Sequence, residues 1–209
     1  MEPFRVLSGQ AAPLLQANID TDVIIRIERL TAADQTQLGD YALEALRYQA
    51  DGRENPDFIL NQPRFRNAPI LLAGPNFGCG SSREGAVTAL LGRGIRSVIA
   101  PSFGDIFYNN CFQNGLLPVR LDEAEIEAMA REIEASDQPV RVDLVDLEIT
   151  TPLGRRLAFA LDPQQRAGLL AGLDDIGQTL LARDDIVAWQ DRDRLARPWV
   201  WRQTEANLA

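Results

Sequence analysis

Short apolar runs alternate with helical patterns through the middle of the chain. Residues 69–73 and 95–100 are apolar enough to be buried strands, and a helical pattern that ends near Gly92 or Gly94 lies between them. A strand–helix–strand unit of this kind has parallel strands and a right-handed crossover. The pattern therefore predicts an α/β fold.

The apolar pattern changes after this central unit. Residues 116–121 predict an edge strand around Pro118, and residues 122–135 predict an amphipathic helix. Residues 140–149 alternate and turn back into 157–161, which predicts an antiparallel hairpin.

The two ends of the chain give weaker patterns. Residues 4–15 predict a short strand pair, and residues 41–48 predict a helix after a polar stretch. From residue 163 onward the pattern is helical, with Asp162 and Asp184 as predicted N-caps.

Composition limits the classes of function. The chain has 209 residues, 45% hydrophobic and 24% charged, which predicts one domain over residues 1–209 with a tail from about residue 190. A net charge of −9 argues against nucleic-acid and anionic-membrane partners. No apolar run is long enough to span a membrane, and the N-terminus lacks the features of a signal peptide, so we expect a cytoplasmic protein.

Two residue types are missing. The chain has no His, and all 21 basic residues are Arg. This excludes Ser-His-Asp and Cys-His catalysis, Walker A loops and Schiff-base lysines within this chain. A proton carrier here must be a carboxylate, Tyr, Cys or an activated Ser.

The chain has only two thiols, Cys79 and Cys111. Two cysteines cannot hold an iron–sulfur cluster, which normally takes more thiolates, so any cluster must belong to a partner. Cys111 shares a helical face with Phe103 and Phe107, which predicts that all three are core residues.

Residues 76–86 carry the candidate chemistry. A glycine-rich turn with Gly78 and Gly80 follows the strand at 69–73 and leads into a helix, whose first N–H groups favour an anion. Ser81 and Ser82 add hydroxyls, and Arg83 adds a guanidinium suited to a carboxylate. The turn predicts an anion site.

Two other interpretations of this turn are open. Ser81 or Ser82 could simply cap the helix, with Glu84 completing a capping box. Alternatively, Gly78 and Gly80 could begin a nucleotide-binding Gly-x-Gly-x-x-Gly motif, although an Arg stands where its third Gly is needed.

Asn18-Ile19-Asp20-Thr21-Asp22 is a second candidate segment. It could be a metal-binding Asp-x-Asp or, more simply, a turn whose polar side chains bond their own backbone. The polar stretch at 26–50 that follows could be a lid over the site or a plain surface connection.

Five ordered motifs resemble the small subunit of 3-isopropylmalate dehydratase, whose relatives carry the swivelling domain of aconitase. They are Asn18–Asp22, Asn76–Glu84, Ile99–Phe103, Asp105–Phe107 and Gly115–Val119. The resemblance runs from about residue 5 to about 190. It implies a swivelling β/β/α domain with a mixed sheet flanked by helices.

The resemblance also implies an activity and a partner. It implies a hydro-lyase of leucine biosynthesis that dehydrates and rehydrates a hydroxy-diacid, in a heterodimer or heterotetramer with a large subunit. That subunit would hold a [4Fe–4S] cluster, whose open iron takes a substrate carboxylate and hydroxyl as a Lewis acid. This chain would bind no cofactor or metal itself.

The resemblance further implies a role for each matching residue. Ser81 would be the base that removes the proton next to a carboxylate. The residues that would contact the substrate are Ser82, Arg83, Gly80, Asp20, Thr21 and Asp22.

One residue departs from the family pattern. The family usually has His after Arg-Glu, and this chain has Gly85. Either that His is a replaceable supporting group, or the substrate is a smaller hydroxy-diacid such as citramalate or dimethylmalate.

Overall fold

The computed structural model describes residues 1–32 and 34–201. Two compact units form, one over residues 1–174 and one from residue 175 onward. A single domain over residues 1–209 with a tail from about residue 190 stays a prediction. Residues 202–209 of that tail lie outside the described residues. None of the helices in the described residues is long and apolar enough to cross a membrane.

The described residues of the first unit form eight strands. Their bounds are β1 (Val6–Gly9), β2 (Ala11–Leu14), β3 (Ile70–Ala73), β4 (Ser97–Ala100), β5 (Leu117–Arg120), β6 (Val140–Asp143), β7 (Glu148–Thr150) and β8 (Arg156–Ala158).

The helices of the first unit surround these strands. They are α1 (Thr21–Ile24), α2 (Ile27–Ala32), α3 (Leu38–Tyr41), α4 (Glu44–Arg47), α5 (Glu84–Gly92), α6 (Asp105–Asn114), α7 (Glu123–Ala135) and α8 (Pro163–Ala171), with 3-10 turns at Gln35–Gln37 and Ile59–Asn61.

One sheet is parallel, in the order β2-β3-β4-β5. Strands β3 and β4 are buried along their whole length, as expected when helices cover both faces of a parallel sheet. The predicted strand–helix–strand unit is β3-α5-β4, and β5 is the predicted edge strand. The α/β class is therefore confirmed.

The other sheet is antiparallel, in the order β1-β6-β7-β8. The predicted hairpin is found in β6, β7 and β8. The prediction of a strand pair within residues 4–15 is wrong, because β1 and β2 lie in different sheets. Strand β1 has no fully buried residue and pairs with β6, whereas β2 is mostly buried beside β3.

The segment between β2 and β3 folds along helix α5. The predicted helix at 41–48 is instead two short helices, α3 and α4, because buried Leu43 adopts a left-handed conformation (φ +55°) between them. At α3, Gly39 lies against Gly92, and a Cβ on Gly39 would overlap the Gly92 carbonyl. The two glycines thus let α3 approach the end of α5.

The core packs around aromatic rings on α6 and the loop before it. Phe103, Phe107 and Cys111 are buried, which confirms their prediction as core residues. Phe77 is fully buried and packs edge-on against Phe107, with ring centroids 5.5 Å apart. Gly115 ends α6 in the left-handed conformation, as helix C-termini prefer.

The second unit is helical, with α9 (Asp175–Leu180), α10 (Arg183–Ala196) and α11 (Pro198–Trp201). Asp193 links α10 to α11, since its carboxylate accepts from Arg197 Nε (2.7 Å) and Trp201 Nε1 (3.0 Å). The prediction of Asp184 as an N-cap is wrong, because Ala182 holds that position. At the first unit's last helix, Asp162 caps α8 as predicted.

Candidate active-site turn

Three loops meet at the carboxyl ends of β2, β3 and β4. The N–H of Gly78, in the turn after β3, donates to the carbonyl of Ile19, in the loop after β2 (2.7 Å). Phe77 N–H donates to the carbonyl of Ser102, in the loop after β4 (3.1 Å). Ligands of parallel sheets bind at this edge. The backbone therefore fixes the predicted anion turn at the expected position.

The two glycines of the turn serve different needs. Both have positive φ, +70° at Gly78 and +94° at Gly80. A Cβ on Gly78 would overlap the Phe107 ring, whereas a Cβ on Gly80 would be 3.5 Å from the Asp20 side chain, an ordinary contact. Gly78 is required by packing as well as by conformation, and Gly80 mainly by conformation.

Helix α5 begins without a side-chain cap. Its N-cap residue is Arg83, in an extended conformation and with no capping hydrogen bond. Ser81 and Ser82 lie before the helix and are exposed. Glu84 accepts a hydrogen bond from Asn114 Nδ2 (3.1 Å) on α6. The interpretation of this turn as a capping box is therefore wrong, and the first N–H groups of α5 have no side-chain cap.

The loop after β2 supports the turn from one side. Asp20 Oδ1 accepts from Val23 N–H (2.8 Å) and caps α1, which confirms the turn interpretation for Asp20, whereas Asn18 Oδ1 accepts from Asn76 Nδ2 (2.8 Å) in the neighbouring turn. Thr21 N–H donates to the Cys79 carbonyl (2.9 Å), and Thr21 Oγ1 donates to the Ser81 carbonyl (3.1 Å). Asp20 and Thr21 thus lie beside the serine turn. Thr21 is only 1% exposed and its hydroxyl bonds the Ser81 carbonyl, so it supports the turn, and the role of both residues as substrate contacts stays a prediction.

Arg83 has a fixed side chain. Its Nη1 forms an ion pair with Asp22 and reaches the Ile25 carbonyl at 3.5 Å. The Arg83 side chain is 15% exposed, and that of Asp22 is 58% exposed. Nη2 and Nε make no hydrogen bond to the described residues. One edge of the guanidinium is held, and the other can receive a carboxylate.

The two thiols do not form a metal site. Cys111 is fully buried, and burial raises its pKa well above the usual value, so it remains a core thiol. Cys79 is half-buried in the turn. Residues 1–32 and 34–201 contain no group of three His, Cys, Asp or Glu side chains that could hold a metal ion.

Gly85 lies in the first turn of α5, and its lack of a side chain leaves no void. A Cβ at this position would overlap Cδ2 of Leu30, a residue of α2. Leu30 therefore occupies the volume that a side chain at position 85 would need. Sequence reasoning missed this contact, and the glycine inside a helix was its only signal.

Comparison with known proteins places the chain in a family. The model of the aconitase C-terminal domain matches residues 1–124. The 3-isopropylmalate dehydratase small subunit of Nitrobacter hamburgensis is 48% identical over 95% of this chain and all of its own length. That of Paramagnetospirillum magneticum is 47% identical over 96% of this chain and its whole length. The chain belongs to the 3-isopropylmalate dehydratase small-subunit family.

A solved structure agrees with this family. The crystal structure of 3-isopropylmalate dehydratase from Methanocaldococcus jannaschii matches 89% of this chain and 99% of its own, with a TM-score of 0.64 and 26% identity. The family assignment and this fold replace the nucleotide-binding interpretation of Gly78 and Gly80. They show the expected swivelling-domain fold. The expected mixed sheet is instead two sheets, one parallel and one antiparallel.

Proposed function

We propose that this chain is the small subunit of a hydro-lyase that isomerises 2- and 3-isopropylmalate in leucine biosynthesis. The reaction removes and returns water on a hydroxy-diacid. The observation that carries this proposal is the uncapped start of α5, which presents exposed Ser81 and Ser82 beside a fixed Arg83. The curated relatives at 48% and 47% identity carry the name of this enzyme.

The start of α5 would bind a substrate carboxylate. The first N–H groups of a helix and its dipole stabilise a negative charge there. The free edge of the Arg83 guanidinium can bind two carboxylate oxygens, and the Ser82 hydroxyl adds a donor. Gly80, which is exposed and has no side chain, allows the ligand to approach the backbone.

Ser81 would act as the base. It takes the proton from the carbon next to the bound carboxylate, and the electron pair of the broken C–H bond forms the double bond as the neighbouring carbon loses its hydroxyl as hydroxide, for which the large subunit would supply the Lewis acid. In the return step hydroxide adds to the carbon that lost the proton, and Ser81 gives its proton to the other carbon. The helix N–H groups and Arg83 stabilise the serine alkoxide that this role needs. The absence of His and Lys leaves few other bases in the chain.

The aspartates and Thr21 would organise this site. Asp22 holds one edge of Arg83 and so turns the other edge toward the substrate. Thr21 bonds the Ser81 carbonyl and fixes the turn. Asp20 caps α1 and lies against Gly80, so its role is to shape the site next to the substrate.

The remaining half of the site would come from a large subunit. The thiols of this chain do not fit an iron–sulfur cluster, because Cys111 is buried and Cys79 stands without further thiolates. We therefore assign the [4Fe–4S] cluster to the large subunit, in a heterodimer or heterotetramer. This chain supplies the base and the carboxylate site.

An assay of the reconstituted pair tests the substrate. Purified small and large subunits are combined and supplied with isopropylmalate, citramalate or dimethylmalate. Isopropylmalate should give the highest kcat/KM. A higher value with either of the other two diacids would assign the enzyme to that smaller substrate and contradict the proposal.

A further inference from the structure

Helix α2 packs on the core of the first unit through one apolar side chain, Leu30. None of its residues is fully buried. Leu30 packs against the core, whereas Ile27 is 48% exposed. Leu30 also lies against Gly85, which has no side chain, at the first turn of α5. We call this contact the Leu30–Gly85 seat.

A second contact holds the other side of α2. Arg29 Nε donates to both carboxylate oxygens of Glu44 on α4, at 3.1 and 3.0 Å. The Arg29 guanidinium also lies 4.2 Å above the centre of the Tyr41 ring. This ion pair is partly exposed and contributes little by itself. The Leu30–Gly85 seat is the apolar contact between α2 and the first turn of α5.

The seat is connected to the candidate site. The chain runs from Asp22 in α1, through Ile25, directly into α2. Both Asp22 and the Ile25 carbonyl contact Arg83 Nη1. Arg83 is itself two residues from Gly85. A shift of α2 away from α5 would therefore draw away the groups that orient Arg83.

We propose that Leu30 is a positioning residue, which seats α2 on Gly85 and thereby holds Arg83 in the orientation that binds the substrate carboxylate. Any side chain at position 85 would compete with Leu30 for the same volume. Gly85 is thus explained by its partner on α2. The seating follows from the contacts alone, while its effect on substrate binding rests on the proposed function.

The test combines proteolysis with kinetics in the full-length subunit assembled with its large subunit. Trypsin cleaves after Arg, and Arg26 and Arg29 lie at α2 with side chains 57% and 41% exposed. Cleavage after these two residues is followed by mass spectrometry. The variants are Leu30→Ala, Gly85→Ala, the double variant and, as a matched control on the same helix, Ile27→Ala.

Leu30→Ala should loosen α2, and Gly85→Ala should do so to a smaller extent, because the Leu30 methyl group that the new Cβ would meet is the end of a flexible side chain. In Leu30→Ala we expect cleavage after Arg26 and Arg29 to be about fivefold faster, because local opening exposes the backbone. The KM for isopropylmalate should rise about fivefold with little change in kcat, since carboxylate binding is weakened. Leu30→Met should restore both values. In the double variant the cleavage rate and the KM should be no higher than in the more affected single variant, because both changes break the same contact.

Different results would overturn the two parts separately. Wild-type cleavage rates in both Leu30→Ala and Gly85→Ala would disprove the seat. Faster cleavage with an unchanged KM would disprove the positioning role. If the wild-type pair had no activity on isopropylmalate, the proposed function would fail, while the proteolysis would still decide whether the seat exists.

Discussion

The two sheets of the first unit have the same number of strands but differ in burial. Strands β3 and β4 of the parallel sheet are buried throughout, whereas β1 and β8 of the antiparallel sheet have no fully buried residue. All three loops of the candidate site leave the parallel sheet. The antiparallel sheet instead connects to α7, where Glu132 binds Arg155 and the Leu153 N–H.

This difference predicts which substitutions affect catalysis and which affect stability. A parallel sheet enclosed by helices leaves only its strand ends open, so polar groups collect at one edge. An antiparallel sheet with an open face depends more on ion pairs and hydrogen bonds at its turns. Changes at the strand ends of the first sheet should therefore affect catalysis, and changes around the second should affect stability alone.

The largest expected effect is the loss of activity in Ser81→Ala. Removal of a base typically costs 10²–10⁴-fold, so we expect about 10³-fold lower kcat, or about 4 kcal/mol in the barrier. The exposed hydroxyl makes no bond to the described residues, so stability and binding of the large subunit should not change. Steady-state assay and size-exclusion chromatography measure the two properties. Full activity in this variant would remove Ser81 as the base.

Gly78→Ala should give the next largest effect, on stability. The new Cβ would overlap the Phe107 ring, and φ is +70°, so we expect a loss of about 3 kcal/mol in the free energy of unfolding. Gly80→Ala is the matched control, because its Cβ has room and only the conformational cost of about 1 kcal/mol remains. Urea denaturation compares them. Equal losses in both variants would contradict the packing role of Gly78.

Glu132→Gln should lower the free energy of unfolding, because Glu132 binds the turn of the antiparallel sheet. Burial raises the pKa of Glu132, but hydrogen bonds from Thr151, Arg155 and the Leu153 N–H outweigh it and lower the pKa below the usual 4.5. Loss of these charge-assisted bonds should cost about 2 kcal/mol at pH 7. Turnover should not change.

The pH dependence checks the same prediction. Because the folded-state pKa of Glu132 is lowered, its stabilisation is present above pH 4.5 and is lost as the pH falls through the folded pKa. The difference between wild type and Glu132→Gln in urea denaturation should therefore shrink in acid. A difference that stays constant from pH 7 to the acid range would show that the carboxylate charge is not responsible.

Ser82→Ala should have the smallest effect. Loss of one hydrogen bond to the substrate carboxylate should raise KM about tenfold, or about 1.4 kcal/mol, with kcat nearly constant. The comparison with Ser81→Ala distinguishes binding from proton transfer at neighbouring hydroxyls. If kcat fell as far in Ser82→Ala as in Ser81→Ala, the roles of the two serines would have to be revised.

The sequence predicted the parts of the fold that depend on local pattern. The strand β3, the helix α7 and the hairpin of β6 and β7 follow from continuous or alternating apolar residues. The pairing of β1 with β6 could not be predicted, because it joins segments more than a hundred residues apart. Tertiary packing also broke the expected helix at buried Leu43, against its local preference.

The candidate site could likewise be predicted from the sequence only where each residue has a local reason. The glycines, serines and Arg83 could be named from the turn itself, because each has a local reason. The ion pair of Arg83 with Asp22 and the contact of Gly85 with Leu30 join different segments, and no spacing in the sequence encodes them. The capping-box alternative could not be dismissed from the sequence, since Ser-x-x-Glu is common at helix starts, and in the structure the N-cap is Arg83, two residues after Ser81.

Helix α5 also sets the distance between two contacts that the segment between β2 and β3 makes with it. Gly85 receives Leu30 near one end, and Gly92 receives Gly39 at the other. The two glycines are seven residues apart, which is about two turns and about 10 Å. Adding one residue between them would turn one seat by about 100° relative to the other. Family members that change the length of this helix must therefore also rebuild the segment that runs along it.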